Sequence, residues 1–77
     1  MTVTVLFFGV LGEVAGTGTR FYEGVKNLEQ LKIRIGDDYP EIVHYSYRVS
    51  LNNELCDGDV KLKDGDEVAF LPPFAGG

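Results

Sequence analysis

The sequence predicts a single α+β domain, a mixed sheet with one main helix packed on one face. Three observations predict it. The chain has 77 residues, the size of one domain. One stretch, residues 27–36, repeats its apolar residues at helical spacing. Short stretches of β-branched and aromatic residues lie on either side of it. A lone helix with a narrow apolar stripe has to cover one face of a sheet, which gives a roll.

The elements follow in order. "TVTVLFF", residues 2–8, is β-branched and aromatic and reads as a strand. "GVLGEVAGTGT" holds four glycines and reads as a loop with room for one turn of helix. "RFYEGV" is a short second strand that completes a hairpin with the first. Asn27 then caps the helix, and Gln30 three positions on gives a capping-box spacing. Leu28, Leu31 and Ile35 share one stripe, with Glu29, Lys32 and Arg34 pointing elsewhere; Ile33 lies off the stripe and has no assigned role. Gly36 is the expected stop, and Pro40 forbids easy continuation. In "YRVSLNNEL", Tyr47, Val49 and Leu51 alternate with Arg48 and Ser50, and Asn52-Asn53 supplies a turn tolerant of positive φ. "CDGDVKLKDGD" reads as short strand pieces between two Asp-Gly turns. "EVAFL" is the last strand, ended by Pro72-Pro73, which cannot donate to a ladder. The domain spans residues 1–71, and residues 72–77 form an extended tail ending in Gly-Gly.

Composition narrows the function. A domain this small buries only about 60% of its unfolded surface, so the core is thin. One cysteine cannot form an internal bridge, and one histidine offers no metal cluster, so packing alone must hold the fold. Net charge is −5, which disfavours nucleic acid and anionic membranes and suits partners with basic patches. No stretch approaches the ~20 apolar residues of a membrane span, and the first residues lack the basic start of a signal peptide. A reducing, cytoplasmic setting is the expectation.

Strand alternation exposes a second surface. Val3, Val5 and Phe7 share a face in the first strand; Thr4, Leu6 and Phe8 share the other. In the last strand Val68 and Phe70 oppose Glu67, Ala69 and Leu71. If the helix covers the valine faces, Leu6, Phe8 and Leu71 look outward, and Phe74 adds to them beside the C-terminus. Contiguous exposed apolar patches on small proteins mark partner surfaces. The alternative is that the loop at residues 9–18 folds over them.

The tail, "FLPPFAGG", is chemically suggestive. Pro72-Pro73 fixes φ and favours extended geometry, so the tail should project. Gly76 and Gly77 lack Cβ atoms and make the narrowest peptide, able to thread a tight channel. A terminal carboxylate delivered this way is a poor electrophile and needs activation, such as adenylation, in a partner's active site. The carrier needs no catalytic side chains for this, and none is evident.

The motif "DGDEVAFLPPFAGG", residues 64–77, resembles the C-terminal signature of molybdopterin synthase small subunits, which are ubiquitin-like sulfur carriers. "VLFFG", "GEVAG", the capped helix and "VSLNNEL" resemble the same family, so the resemblance covers essentially the whole chain. It implies a β-grasp fold. It also implies adenylation of the C-terminus by an E1-like enzyme that uses ATP, with no cofactor bound to the carrier itself. The Gly77 carboxylate would become a thiocarboxylate and pass its sulfur to a pyranopterin precursor in a larger catalytic subunit. Gly76 would permit threading, Pro72, Pro73, Phe74 and Ala75 would guide the tail, and Leu6, Phe8 and Leu71 would dock the partner. One departure is visible: the family commonly has Arg before the loop glutamate, where this chain has Gly12 before Glu13. Two other readings share the fold and the Gly-Gly: a sulfur carrier for thiamine, cysteine or transfer RNA, and a ubiquitin-like modifier conjugated to lysines.

Other features carry less. Cys56 adjoins acidic residues and no base is near it in sequence, so it reads as a packing residue. His44 lies in a connection. The two "DGD" triplets lack the spacing and the final Glu of a calcium loop. "GTG" at 16–18 is followed by no Lys-Ser/Thr pair of a phosphate loop.

Overall fold

A computed structural model of the chain describes residues 1–73. Eight elements follow in order: β1 (Thr2–Phe7), α1 (Val10–Ala15), β2 (Thr19–Glu23), α2 (Leu28–Asp38), a 3-10 turn (Pro40–His44), β3 (Arg48–Leu51), β4 (Glu54–Cys56) and β5 (Glu67–Leu71). The five strands form one sheet in the order β2-β1-β5-β3-β4. β1 and β5 run parallel at its centre, and the other neighbours are antiparallel. This is the expected mixed sheet with one main helix.

The inner face is the core. Val3, Val5 and Phe7 of β1, Tyr22 of β2, Val68 and Phe70 of β5 and Val49 of β3 are buried with Leu28, Leu31 and Ile35 of α2. The valine faces are thus the covered ones. Phe70 meets Phe7 and Tyr47 at ring-centroid distances of 5.8 and 5.0 Å. The loop expected at residues 9–18 is in part a six-residue helix, α1, whose Leu11 is also buried in the core.

The start of α2 is held twice. The Gln30 amide donates to Asn27 Oδ1 at 2.8 Å, as the capping spacing predicts. The Gln30 side chain reaches back to accept from Lys26 N–H rather than from the cap residue itself. Asp59, from the connection after β4, accepts from Glu29 N–H at 3.0 Å and ties a distant segment to the same terminus. Two of the helix's orphan donors are satisfied in this way.

The far end corrects an expectation. Gly36 does not stop the helix; α2 runs on to Asp38 and is capped by Tyr39, whose N–H donates to the Ile35 carbonyl. No φ constraint or crowding acts at Gly36, whereas Pro40 excludes Tyr39 from helical geometry. A second correction concerns residues 57–66: beyond β4 they pair only through a single bridge, Asn27 with Lys61.

Candidate functional site

The open face of the sheet is built by register. Paired residues share a face, so three rows cross the strands. The middle row runs Thr19, Leu6, Ala69, Ser50, Leu55. Toward the start of β1 the next row holds Phe21, Thr4 and Glu67. At the other end Leu71 lies opposite Arg48, and Phe8 follows β1 with its amide donating to the Phe70 carbonyl at 3.1 Å. Among the described residues no helix covers this face.

Leu6, Phe8 and Leu71 therefore look outward together, as alternation predicts. Phe8 is 45% exposed, and Leu6 and Leu71 are half-buried. Ala69 and Ser50 are small and buried, so the middle of the face is a shallow uncharged floor. The segment at residues 9–18 does not fold over the patch: Leu11 turns into the core instead.

Two apolar residues of this face were not singled out in the sequence. Phe21 is 65% exposed and Leu55 is 55% exposed. Alternation in "RFYEGV" separates Phe21 from Tyr22 but does not say which faces out; only the pairing of Phe21 with Thr4 decides it. Leu55 is fixed outward by pairing with Ser50.

The root of the tail leaves from this end. Pro72 is half-buried and Pro73 exposed. The Pro72 ring sits on Gly9: a Cβ built on Gly9 would lie 3.0 Å from Pro72 Cγ, and Gly9 has φ +56°. Glycine is needed there both for the backbone angle and for the ring's approach. Gly12 is similarly placed, since a Cβ would come within 3.2 Å of the Phe7 carbonyl oxygen. Phe74, Ala75, Gly76 and Gly77 lie outside the described residues, so the projecting tail and its roles are not part of this geometry.

The strand that leads to the tail is fixed at its start by the "DGD" motif. Asp66 is buried; its carboxylate accepts from Asn52 Nδ2 at 3.0 Å and from Lys63 N–H at 2.7 Å. These bonds hold its carboxyl below the usual carboxylate range, the Asn52 bond contributing most. Asn52 also accepts from Glu67 N–H at 2.9 Å, and Asp64 accepts from Thr2 N–H at 2.7 Å. Cys56 is half-buried, its thiol 3.7 Å from the Val49 carbonyl oxygen, which fits a packing role. Among the described residues no cluster of three His, Cys, Asp or Glu could hold a metal, and no helix is long and apolar enough to cross a membrane.

The apolar sheet face thus lies beside Pro72, at the root of the tail. The model of the ThiS family matches residues 5–77. The chain belongs to the ThiS family. Among its relatives in that sense is a molybdopterin synthase sulfur carrier subunit of Chlamydomonas reinhardtii, 36% identical, with all of both chains covered. Another of the same name, from Mycobacterium tuberculosis, is 34% identical over 97% of this chain and 96% of its own length. Of solved structures, one from Helicobacter pylori, a protein–protein complex of subunits 1 and 2 of molybdopterin-converting factor, is similar to this chain with TM-score 0.76 and 30% identity, covering both chains fully. SAMP1 of Haloferax volcanii matches with TM-score 0.85 over both full lengths at 21% identity, which shows the shared ubiquitin-like β-grasp fold.

Proposed function

We propose that this chain is the sulfur carrier subunit of a molybdopterin synthase, working in a heteromeric complex with a larger catalytic subunit. The observation that carries the reading is the apolar row Leu6–Ala69, flanked by Phe8 and Leu71, lying uncovered beside Pro72, where the Gly-Gly tail departs. Full-length similarity to two proteins named as sulfur carrier subunits supports it, as does similarity to a subunit seen in complex with its partner.

The chemistry assigned to the tail is group transfer at Gly77. An E1-like enzyme joins the Gly77 carboxylate to AMP from ATP, releasing pyrophosphate. Hydrosulfide then displaces AMP from the acyl carbon, leaving a thiocarboxylate and free AMP. Sulfur on an acyl carbon is more nucleophilic than carboxylate oxygen, and it travels covalently bound. In the larger subunit this sulfur forms a C–S bond to the pyranopterin precursor as a C–O bond of the precursor breaks and its oxygen leaves as phosphate or water. Water then cleaves the S–acyl bond to return the Gly77 carboxylate. The open sheet face docks the partner, and Gly76, without a side chain, passes through its channel.

The test is the intact mass of the chain isolated from its native host. Exchange of one oxygen for sulfur, mapped to Gly77, is the expected result. An unmodified chain found joined to lysines of many other proteins would instead make it a modifier. Deleting Gly77, or adding one residue after it, should abolish sulfur transfer with the melting temperature unchanged.

A further inference from the structure

The open face is electrically polarised along its strands. At the tail end, Arg48 stands opposite Leu71 and is exposed. It is the only Lys or Arg among the outward-facing strand residues. Arg20 is turned to the helix side, where it pairs with Asp38 at 3.3 Å and donates to the Tyr39 hydroxyl. Arg34 donates to the Glu23 carbonyl. Lys26 precedes α2, Lys32 lies in α2 and lines a pocket with Arg48 and Asp57 at the sheet edge, and Lys61 and Lys63 lie in the connection before β5. Among the described residues no carboxylate lies within ion-pair distance of Arg48; Asp57, just past β4 at the same edge, does not reach it.

The opposite end of the same face is acidic. Glu67 lies beside Thr4, and Glu23 lies beside Thr2, whose hydroxyl donates to the Glu23 carboxylate at 3.3 Å. Asp64 is held against the Thr2 amide at the same end. Between the two poles lies the uncharged middle row. On a chain of net charge −5 the strands of this face thus present one cation among the described residues, Arg48, at the edge where the tail leaves.

We infer that Arg48 is the ionic anchor that orients docking, taking an acidic side chain of the larger subunit beside the mouth of its channel, with basic side chains of that subunit toward Glu67 and Glu23. The inference rests on the reading that this face binds the larger subunit. An apolar patch alone sets no direction, because dispersion and burial are indifferent to rotation of one surface on another. Charges of opposite sign at the two ends make the reversed arrangement repulsive and fix the register. Docked in the allowed sense, the tail root faces the channel.

The experiment is calorimetric titration of the full-length chain into the larger subunit of the same organism, at low and at moderate salt. The variants are Arg48→Glu and Lys26→Glu, which change net charge equally, with Arg48→Gln as a milder change should the reversal disturb folding. Arg48→Glu should bind about tenfold more weakly and lose part of the salt dependence, and Arg48→Gln should weaken binding by about threefold. Lys26→Glu should stay close to the unaltered chain. Equal affinities for the Arg48 and Lys26 variants would overturn the inference and leave the docking face intact. If the unaltered chain does not bind the larger subunit, the underlying reading fails, before any variant is compared.

Discussion

Phe8→Ala and Phe70→Ala differ by one face of one sheet, and the contrast tests the docking surface. Phe8 is 45% exposed and Phe70 is fully buried. A phenylalanine side chain presents on the order of 200 Å². The exposed share of Phe8 is therefore about 90 Å², worth about 2 kcal/mol when a partner covers it at ~25 cal/mol per Å². That is about thirtyfold in Kd. In the free chain, Phe8→Ala should cost about 1 kcal/mol, the ordinary value for a partly exposed site. Phe70→Ala removes a ring that packs on Phe7 and Tyr47 and should cost about 3–5 kcal/mol. For a domain of this length each kcal/mol shifts Tm by about 4–8 °C. The assays are thermal melting by circular dichroism and titration against the larger subunit. The expected result is a small melting shift with a large affinity loss for Phe8→Ala, and a large melting shift for Phe70→Ala. A Phe8→Ala variant that melts as low as Phe70→Ala yet binds normally would refute the assignment of the open face.

Three further outcomes follow from the geometry. Asn27→Ala and Asp59→Ala each remove one acceptor from the start of α2, and each should cost about 1 kcal/mol; equal melting of the Asp59→Ala variant and the parent would show that the second cap contributes nothing. Asp66 has its carboxyl pKa lowered in the folded chain, so its contribution is complete above the ordinary value of about 3.9 and is lost as pH falls through the lowered value. Melting curves of Asp66→Asn across this range should converge on the parent's at acid pH, and a constant gap would contradict the linkage. Tyr22 is the reverse case: burial first, and then its bond to Asp38 at 2.7 Å, raise the hydroxyl pKa well above its usual range. Stability from Tyr22 is therefore present below about pH 10 and lost as pH rises beyond it. Tyr22→Phe should be less stable than the parent at neutral pH, with the gap closing in alkali, and a gap that widens there would overturn the assignment.

What the sequence made legible was local. The cap at Asn27 needs only the spacing to Gln30, and the Asn52-Asn53 turn needs only two residues that accept positive φ, observed at 50° and 72°. The outward set of Leu6, Phe8 and Leu71 needed alternation plus one fact, that a single helix can cover only one face. What was not legible depends on partners far along the chain. Gly36 looked like a helix stop because glycine often is one, but the signal that acts is Pro40 on Tyr39. Phe21 was ambiguous because alternation fixes opposition and not direction. The bonds joining Arg20, Tyr22, Asp38 and Tyr39 tie β2 to the end of α2 across 16 to 19 positions, and no local pattern announces them.

The "DGDEVAFLPP" stretch looked like a functional signature, and the structure divides it. Its first half is architecture: Asp64 holds the start of β1, and Asp66 holds the β3–β4 turn through Asn52. Those bonds fix the start of β5 between β1 and β3, at the centre of the sheet, where a strand is paired on both sides and does not fray. The second half is the consequence. A strand fixed at the centre delivers Leu71 and Pro72 at one place on the rim, beside Phe8 and Arg48 and against Gly9. A tail rooted on an edge strand would inherit that strand's fraying and blur its aim. The acidic turn and the Pro-Pro step therefore act as one device, in which the carboxylates at one end of β5 set where the tail begins at the other.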